Sequence, residues 1–146
     1  MVTLLKEYQF LDMVARYYID DYTKNVELML LPDNTEPLPW EKKNQRIDSL
    51  VQLKLAGDVY PGGYAGGNTL RQGESALRLE YFTQKVVSDN EKETVITVLT
   101  DRRGYRVEHY LEWYKDSMCL ESHVKFINES SETASLEMIS SFSLGG

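Results

Sequence analysis

The stretch GDVYPGGYAGGNTLR, residues 57–71, places five of the chain's nine glycines within fifteen positions and sets Tyr60, Tyr64 and Arg71 among them. Two phosphate chemistries require glycines in a fixed order, and neither is met. A GxxxxGK[ST] loop needs a lysine to reach the phosphates, and no lysine follows these glycines. A dinucleotide turn needs GxGxxG opening a helix, whereas the glycines at 62, 63, 66 and 67 are spaced otherwise and are expected to lead into a strand. What remains is backbone that can take positive φ and be approached closely, bordered by aromatic rings and a guanidinium. That combination fits a surface facing a sugar, and it equally fits an irregular connection between two strands.

The other chemistry-bearing residues are scattered. His109 is in phase with the apolar residues of its stretch and reads as a core histidine, while His123 reads as solvated. No GxSxG nucleophile elbow occurs. Asp20 with Asp21, or Asp48 with Asp58, could supply paired carboxylates for glycoside hydrolysis, but acidic pairs are commonly hydrated surface. Cys119 has no evident activator for nucleophilic work, and one cysteine makes no internal disulfide. Two histidines and one cysteine are a poor set for zinc, so neither a metal nor another cofactor is expected. Trp40, within the proline-rich stretch LPDNTEPLPWEKKNQR, is different: a loop tryptophan is favourable when a sugar or a neighbouring subunit covers its ring.

Positioning these groups falls to strands. In YRVEHYLEWY, residues 105–114, Tyr105, Val107, His109, Leu111 and Trp113 share one face, and Arg106, Glu108 and Glu112 share the other. Residues 118–126 repeat the alternation with Met118, Leu120, Val124 and Phe126, and residues 134–144 with Ala134, Leu136, Met138, Phe142 and Leu144. The β-branched and aromatic stretches 77–87 and 93–100 precede them. Short polar breakers (SDNEKE, DRRG, KDS, NESSE) join these runs, which implies antiparallel neighbours and a five-strand meander over 77–144. Upstream, 8–19 and 25–31 read as strands, although 8–19 also tolerates a helix. Residues 31–46 form a long loop, and 49–57 return to alternation before the glycines. With no linker-like composition, residues 1–146 are expected to form one all-β domain, an antiparallel β-sandwich.

Charge and hydropathy exclude some partners. A formal net charge of −7 and no basic cluster beyond RRGYR argue against nucleic acid. No run approaches the roughly 20 apolar residues of a membrane helix, and the start carries no signal-peptide pattern. The expectation is a cytoplasmic protein in which the sequon Asn128-Glu129-Ser130 has no role.

Three ordered stretches carry a family resemblance: DSLVQLKLAGDVYPGGYAGGNTLR (48–71), LTDRRGYRVEHYLEWY (99–114) and VKFINESSETASLEMISSFSLGG (124–146). In that order, over about two-thirds of the chain, they resemble the amino-terminal β-supersandwich domain of α-galactosidases of glycoside hydrolase family 36. The resemblance implies a mutarotase-like supersandwich, incomplete here. The family's two catalytic aspartates would lie in a separate (β/α)8 barrel that follows, so none maps onto this chain. It further implies a homo-oligomer whose sandwich supports the barrel and helps shape the pocket for an α-galactoside oligosaccharide. Trp40, Asp58, Tyr60, Tyr64 and Arg71 are the residues expected to face that sugar. Uncovered sheet edges in an incomplete sandwich would favour dimerisation. Two alternatives stand beside it. One is a stand-alone aldose epimerase of mutarotase type using His109 and His123 with Glu121 or Glu137; the other is a carbohydrate-binding or purely structural sandwich module.

Overall fold

A computed structural model describes residues 1–35, 47–59 and 71–145. The amino-terminal residues fold as an antiparallel sheet of β1 (Val2–Phe10), β2 (Met13–Asp20) and β3 (Val26–Pro32), in that order. The helix tolerated over 8–19 is therefore absent: Phe10 pairs with Met13, and Leu11–Asp12 make the turn, with Leu11 at φ +52°. Ala15, Tyr17, Val26 and Leu28 turn one face of this sheet into the core.

The opposing layer is the expected meander. Here β5 (Glu80–Ser88), β6 (Lys92–Asp101), β7 (Tyr105–Tyr114) and β8 (Leu120–Asn128) pair antiparallel with their sequence neighbours. Along β7 the buried positions are Val107, His109, Leu111 and Trp113, each flanked by partly exposed residues, the period of two read from sequence. Val95, Leu99, Val107 and Leu111 meet the first sheet, Phe10 stacks on Trp113 with centroids 4.6 Å apart, and Tyr8 Oη donates to Gln84 Oε1 across the layers. The result is an antiparallel β-sandwich with one core drawn from both sheets.

Three features depart from expectation. The fifth strand leaves the meander: β9 (Leu136–Ile139) pairs with β4 (Leu53–Leu55), not with β8. The polar turn after β8 redirects the chain, because Asn128 Oδ1 accepts from Ser130 N and Asn128 Nδ2 donates to Glu132 O. Within β9 the phase also shifts. Ile139 lies opposite Leu53 against the core, while Leu136 is exposed. The glycine stretch, in turn, is followed not directly by a strand but by one helical turn, α1 (Glu74–Leu77). Cys119 precedes β8 and is exposed.

β2 and β3 are buried without interruption over Val14–Tyr17 and Val26–Met29. Such runs mean that both faces of the sheet are covered. On the outer face Arg16 donates from Nε to Glu7 Oε2 (2.6 Å) and from Nη2 to Thr35 O (2.9 Å), and the fully buried Glu27 accepts from Asp48 N (2.5 Å). Residues on either side of 36–46 thus lie against that face.

Candidate functional site

The residues before and after the glycine stretch are held by side chains. Gln72, at φ +55°, donates from its backbone N to Gln52 Oε1 (2.7 Å), while Gln52 Nε2 donates to Gln72 Oε1 (3.0 Å). The same amide donates to Ile47 O (2.6 Å) and accepts from Ser49 N (2.9 Å). Beside it, Arg71 Nη2 lies 3.1 Å from Asp48 Oδ1. This clasp ties the chain just past residue 46 to the chain just past residue 70.

A third stretch joins the clasp. Gln52 N donates to Ser140 Oγ (2.9 Å), Ser140 N donates to Gln52 O (2.8 Å), and Gly145 N reaches Leu28 O on β3 (2.9 Å). A Cβ on Gly145 would sit 2.0 Å from Cδ of the buried Glu27, so any larger residue there requires that side chain to shift. Between these strands lies a depression of about 330 Å3. It is lined by Gln52 and Arg71, by the apolar Met138, Phe142 and Leu144, and by Ser140 and Ser143. Phe142 and Leu144, expected from sequence to face inward, are 44% and 39% exposed. An exposed ring beside hydroxyls and a guanidinium can stack on the C–H face of a sugar ring while hydrogen-bonding its hydroxyls.

Asp58, the other described residue expected at a sugar surface, has a structural partnership. Its Oδ2 accepts from Leu55 N (2.9 Å), closing the turn after β4, and its Oδ1 lies 3.9 Å from Arg103 Nη1. Only 6% of that side chain is exposed. Arg103 is bound through Nε and Nη2 to the buried Asp101, and these bonds, ahead of opposing desolvation, hold the guanidinium charged. Asp58 therefore belongs with Arg103 and Asp101, whereas Arg71 belongs with Asp48. Trp40, Tyr60 and Tyr64 lie outside the described residues. Gln52, Gln72, Ser140 and Ser143 carry no site signal in the sequence beyond falling within or beside the DSLVQ, NTLR and SSFSLGG stretches.

The histidines do not form a catalytic pair. His109 Nε2 is 3.2 Å from Ser122 Oγ, and Ser122 Oγ donates to Ser141 O (2.5 Å). Because the hydroxyl has one proton, His109 must donate from Nε2, which leaves Nδ1 as a buried acceptor without a partner among the described residues. Burial, with a smaller push from His123, lowers its pKa to about 4. His123 lies on the opposite face of the sheet, its ring stacked on Tyr110 at 4.4 Å. Glu137 is paired with Lys54. The epimerase set of His109, His123, Glu121 and Glu137 is therefore not brought together, and His109 with Ser122 has no carboxylate behind Nδ1 and no exposure to solvent. Among the described residues no group of three or more His, Cys, Asp or Glu could hold a metal ion, and no helix is long and apolar enough to cross a membrane.

No family model matches the chain, and neither a curated protein nor a solved structure matches it.

Proposed function

We propose that this chain is the non-catalytic amino-terminal β-supersandwich domain of a cytoplasmic α-galactosidase resembling glycoside hydrolase family 36. In this reading the sandwich supports a following (β/α)8 barrel and the homo-oligomer. Its loops border the pocket for a terminal α-galactoside. The observation that carries the reading is convergence: DSLVQ at 48–52, the arginine exit at Arg71 and the SSFSL segment at 140–144 are far apart in the chain. They meet around one depression through the Gln52–Gln72 clasp and the Gln52–Ser140 bonds. Those stretches are among the ones on which the family resemblance rests. In this reading Arg71, exposed and paired with Asp48, addresses a hydroxyl of the ligand, and Phe142, which lines the same depression, is its stacking surface.

The isolated 146-residue chain should hydrolyse no p-nitrophenyl α-galactoside and should not accelerate galactose mutarotation followed by polarimetry. Turnover in either assay overturns the reading. In the enzyme with its barrel, Arg71→Ala should raise KM for melibiose or raffinose while leaving kcat little changed, and identical kinetics would remove Arg71 from the sugar surface.

A further inference from the structure

We infer that the free edge of β5 pairs antiparallel with β5 of a second copy of this chain, joining two four-stranded sheets into one. β5 is the outermost strand of its sheet, and among the described residues it pairs only with β6. Just past its end Asp89 N donates to Lys92 O (3.0 Å), so the peptide groups of Asp89 face β6. Successive residues of a strand direct N–H and C=O to opposite sides. Val87, Lys85 and Thr83 therefore bond to β6, whereas Ser88, Val86 and Gln84 direct theirs outward. Before the bulge at Phe82, the outward N–H of Tyr81 is taken by Lys24 O (2.8 Å). The outward groups of Gln84, Val86 and Ser88 meet no other described residue.

A twofold axis through Val86 maps these outward residues onto one another. Val86 faces the partner's Val86, and Gln84 faces the partner's Ser88 on either side. Two bonds per pair give about six inter-strand hydrogen bonds. No like charges are opposed, because Lys85 lies across from the partner's Val87 and Thr83 across from the partner's Asp89. An axis through Lys85 would set two ammonium groups face to face. One through Gln84 would bring Val86 against the partner's Phe82, where the bulge breaks the register. Side-chain exposure fits the same axis. Val86, opposite the buried Val95, points to the inner face and Val87 to the outer, yet they are 44% and 49% exposed. In the pair Val86 packs on its own copy and Val87 on the aliphatic stem of the partner's Lys85. An edge that is apolar on both faces is a template for another strand. β8, the other outer strand, is blunted by exposed Glu121, His123 and Lys125 and by the bond from Ser122 Oγ to Ser141 O. The pairing uses no residue around Arg71, so it stands independently of the galactosidase reading.

The test is sedimentation equilibrium of the 146-residue chain over roughly 10 to 500 µM, with amide hydrogen exchange at both ends of that range. The mass should double with concentration. The amides of Gln84, Val86 and Ser88 should gain protection as it does, while those of Lys85 and Val87, already bonded to β6, keep theirs. Val86→Lys places two ammonium groups on the axis and should weaken association about tenfold. Val87→Glu faces the partner's Lys85 and should tighten it about threefold, and Val87→Lys should weaken it by a similar factor. Net charge alone gives the reverse order, because the chain carries −7 and an added lysine lessens the repulsion between copies. A monomer throughout the range, protection gained along β8 instead, or Val87 variants that follow net charge would overturn the inference.

Discussion

The meander of β5–β8 and the corner around Gln52 are held together by different means. In the meander each strand pairs with its sequence neighbour across a short turn, and backbone hydrogen bonds repeat along strands of nine or ten residues. At the corner, residues 48–52, 71–72 and 138–145 come from three separate parts of the chain and meet through side-chain amides, one hydroxyl and one glycine. Redundant local pairing survives the loss of one bond. A corner closed by a few long-range contacts does not, because each must offset the entropy of holding distant segments together.

The largest effect is expected at Gly145. Gly145→Ala drives a methyl into the buried Glu27 carboxyl group and should cost about 3 kcal/mol, read from urea unfolding. The meander amides should keep their relative hydrogen-exchange protection while those of Gln52 and Ser140 lose theirs.

His109 joins the two regions through Ser122 and Ser141, and its titration comes next. The unfolded imidazole takes up a proton near pH 6.5, the folded one only near 4. Above 6.5 neither state is charged and the group contributes nothing. Between 6.5 and 4 the unfolded chain binds more protons, so stability falls as pH falls, by about 3 kcal/mol in all. Unfolding free energies of the wild type and His109→Gln at pH 7 and pH 4 isolate this term from the carboxylates. Parallel losses in both proteins would refute it.

Gln72→Ala keeps the backbone N–H that donates to Gln52 but removes the side-chain bonds to Gln52, Ser49 and Ile47, and should destabilise by about 2 kcal/mol, with the Ser49 amide exchanging faster and the Val95–Leu99 amides unchanged. The smallest effect lies far from the corner. Leu11 occupies a left-handed conformation at an exposed turn, so Leu11→Gly should relieve strain and stabilise by roughly 0.5–1 kcal/mol. A thermal shift in the opposite direction would show that the Leu11 side chain matters more than its backbone.

The regions also differ in how far they were legible. β7 could be read residue by residue, including the inward His109, because alternate burial is a local property of an extended chain. β9 could not: Leu136 and Met138 occupy one phase and Ile139 the other, and all three are apolar, so only the pairing of Ile139 with Leu53 decides which faces the core. Arg16 and Glu27 are charged and gave no sign of burial. They are buried because Thr35 and Asp48 cover the outer face of β2 and β3 and supply hydrogen bonds. Of the expected sugar-facing residues, Arg71 lines a depression and Asp58 closes a turn. The amides that organise the corner, Gln52 and Gln72, have no periodic signature, since a glutamine's partner is defined only once distant backbone arrives beside it.

By itself the sequence determined that this chain is built of strands, since side chains of an extended backbone point alternately to its two faces, and the short breaks SDNEKE, DRRG and KDS return the chain alongside itself whereas NESSE does not. The tertiary structure alone decided that β9 joins β4, that the outer face of the first sheet is covered, and that Arg71 and Phe142 share a depression. Those outcomes depend on closure between segments tens of residues apart, where the energy resides in pairings that no local pattern encodes.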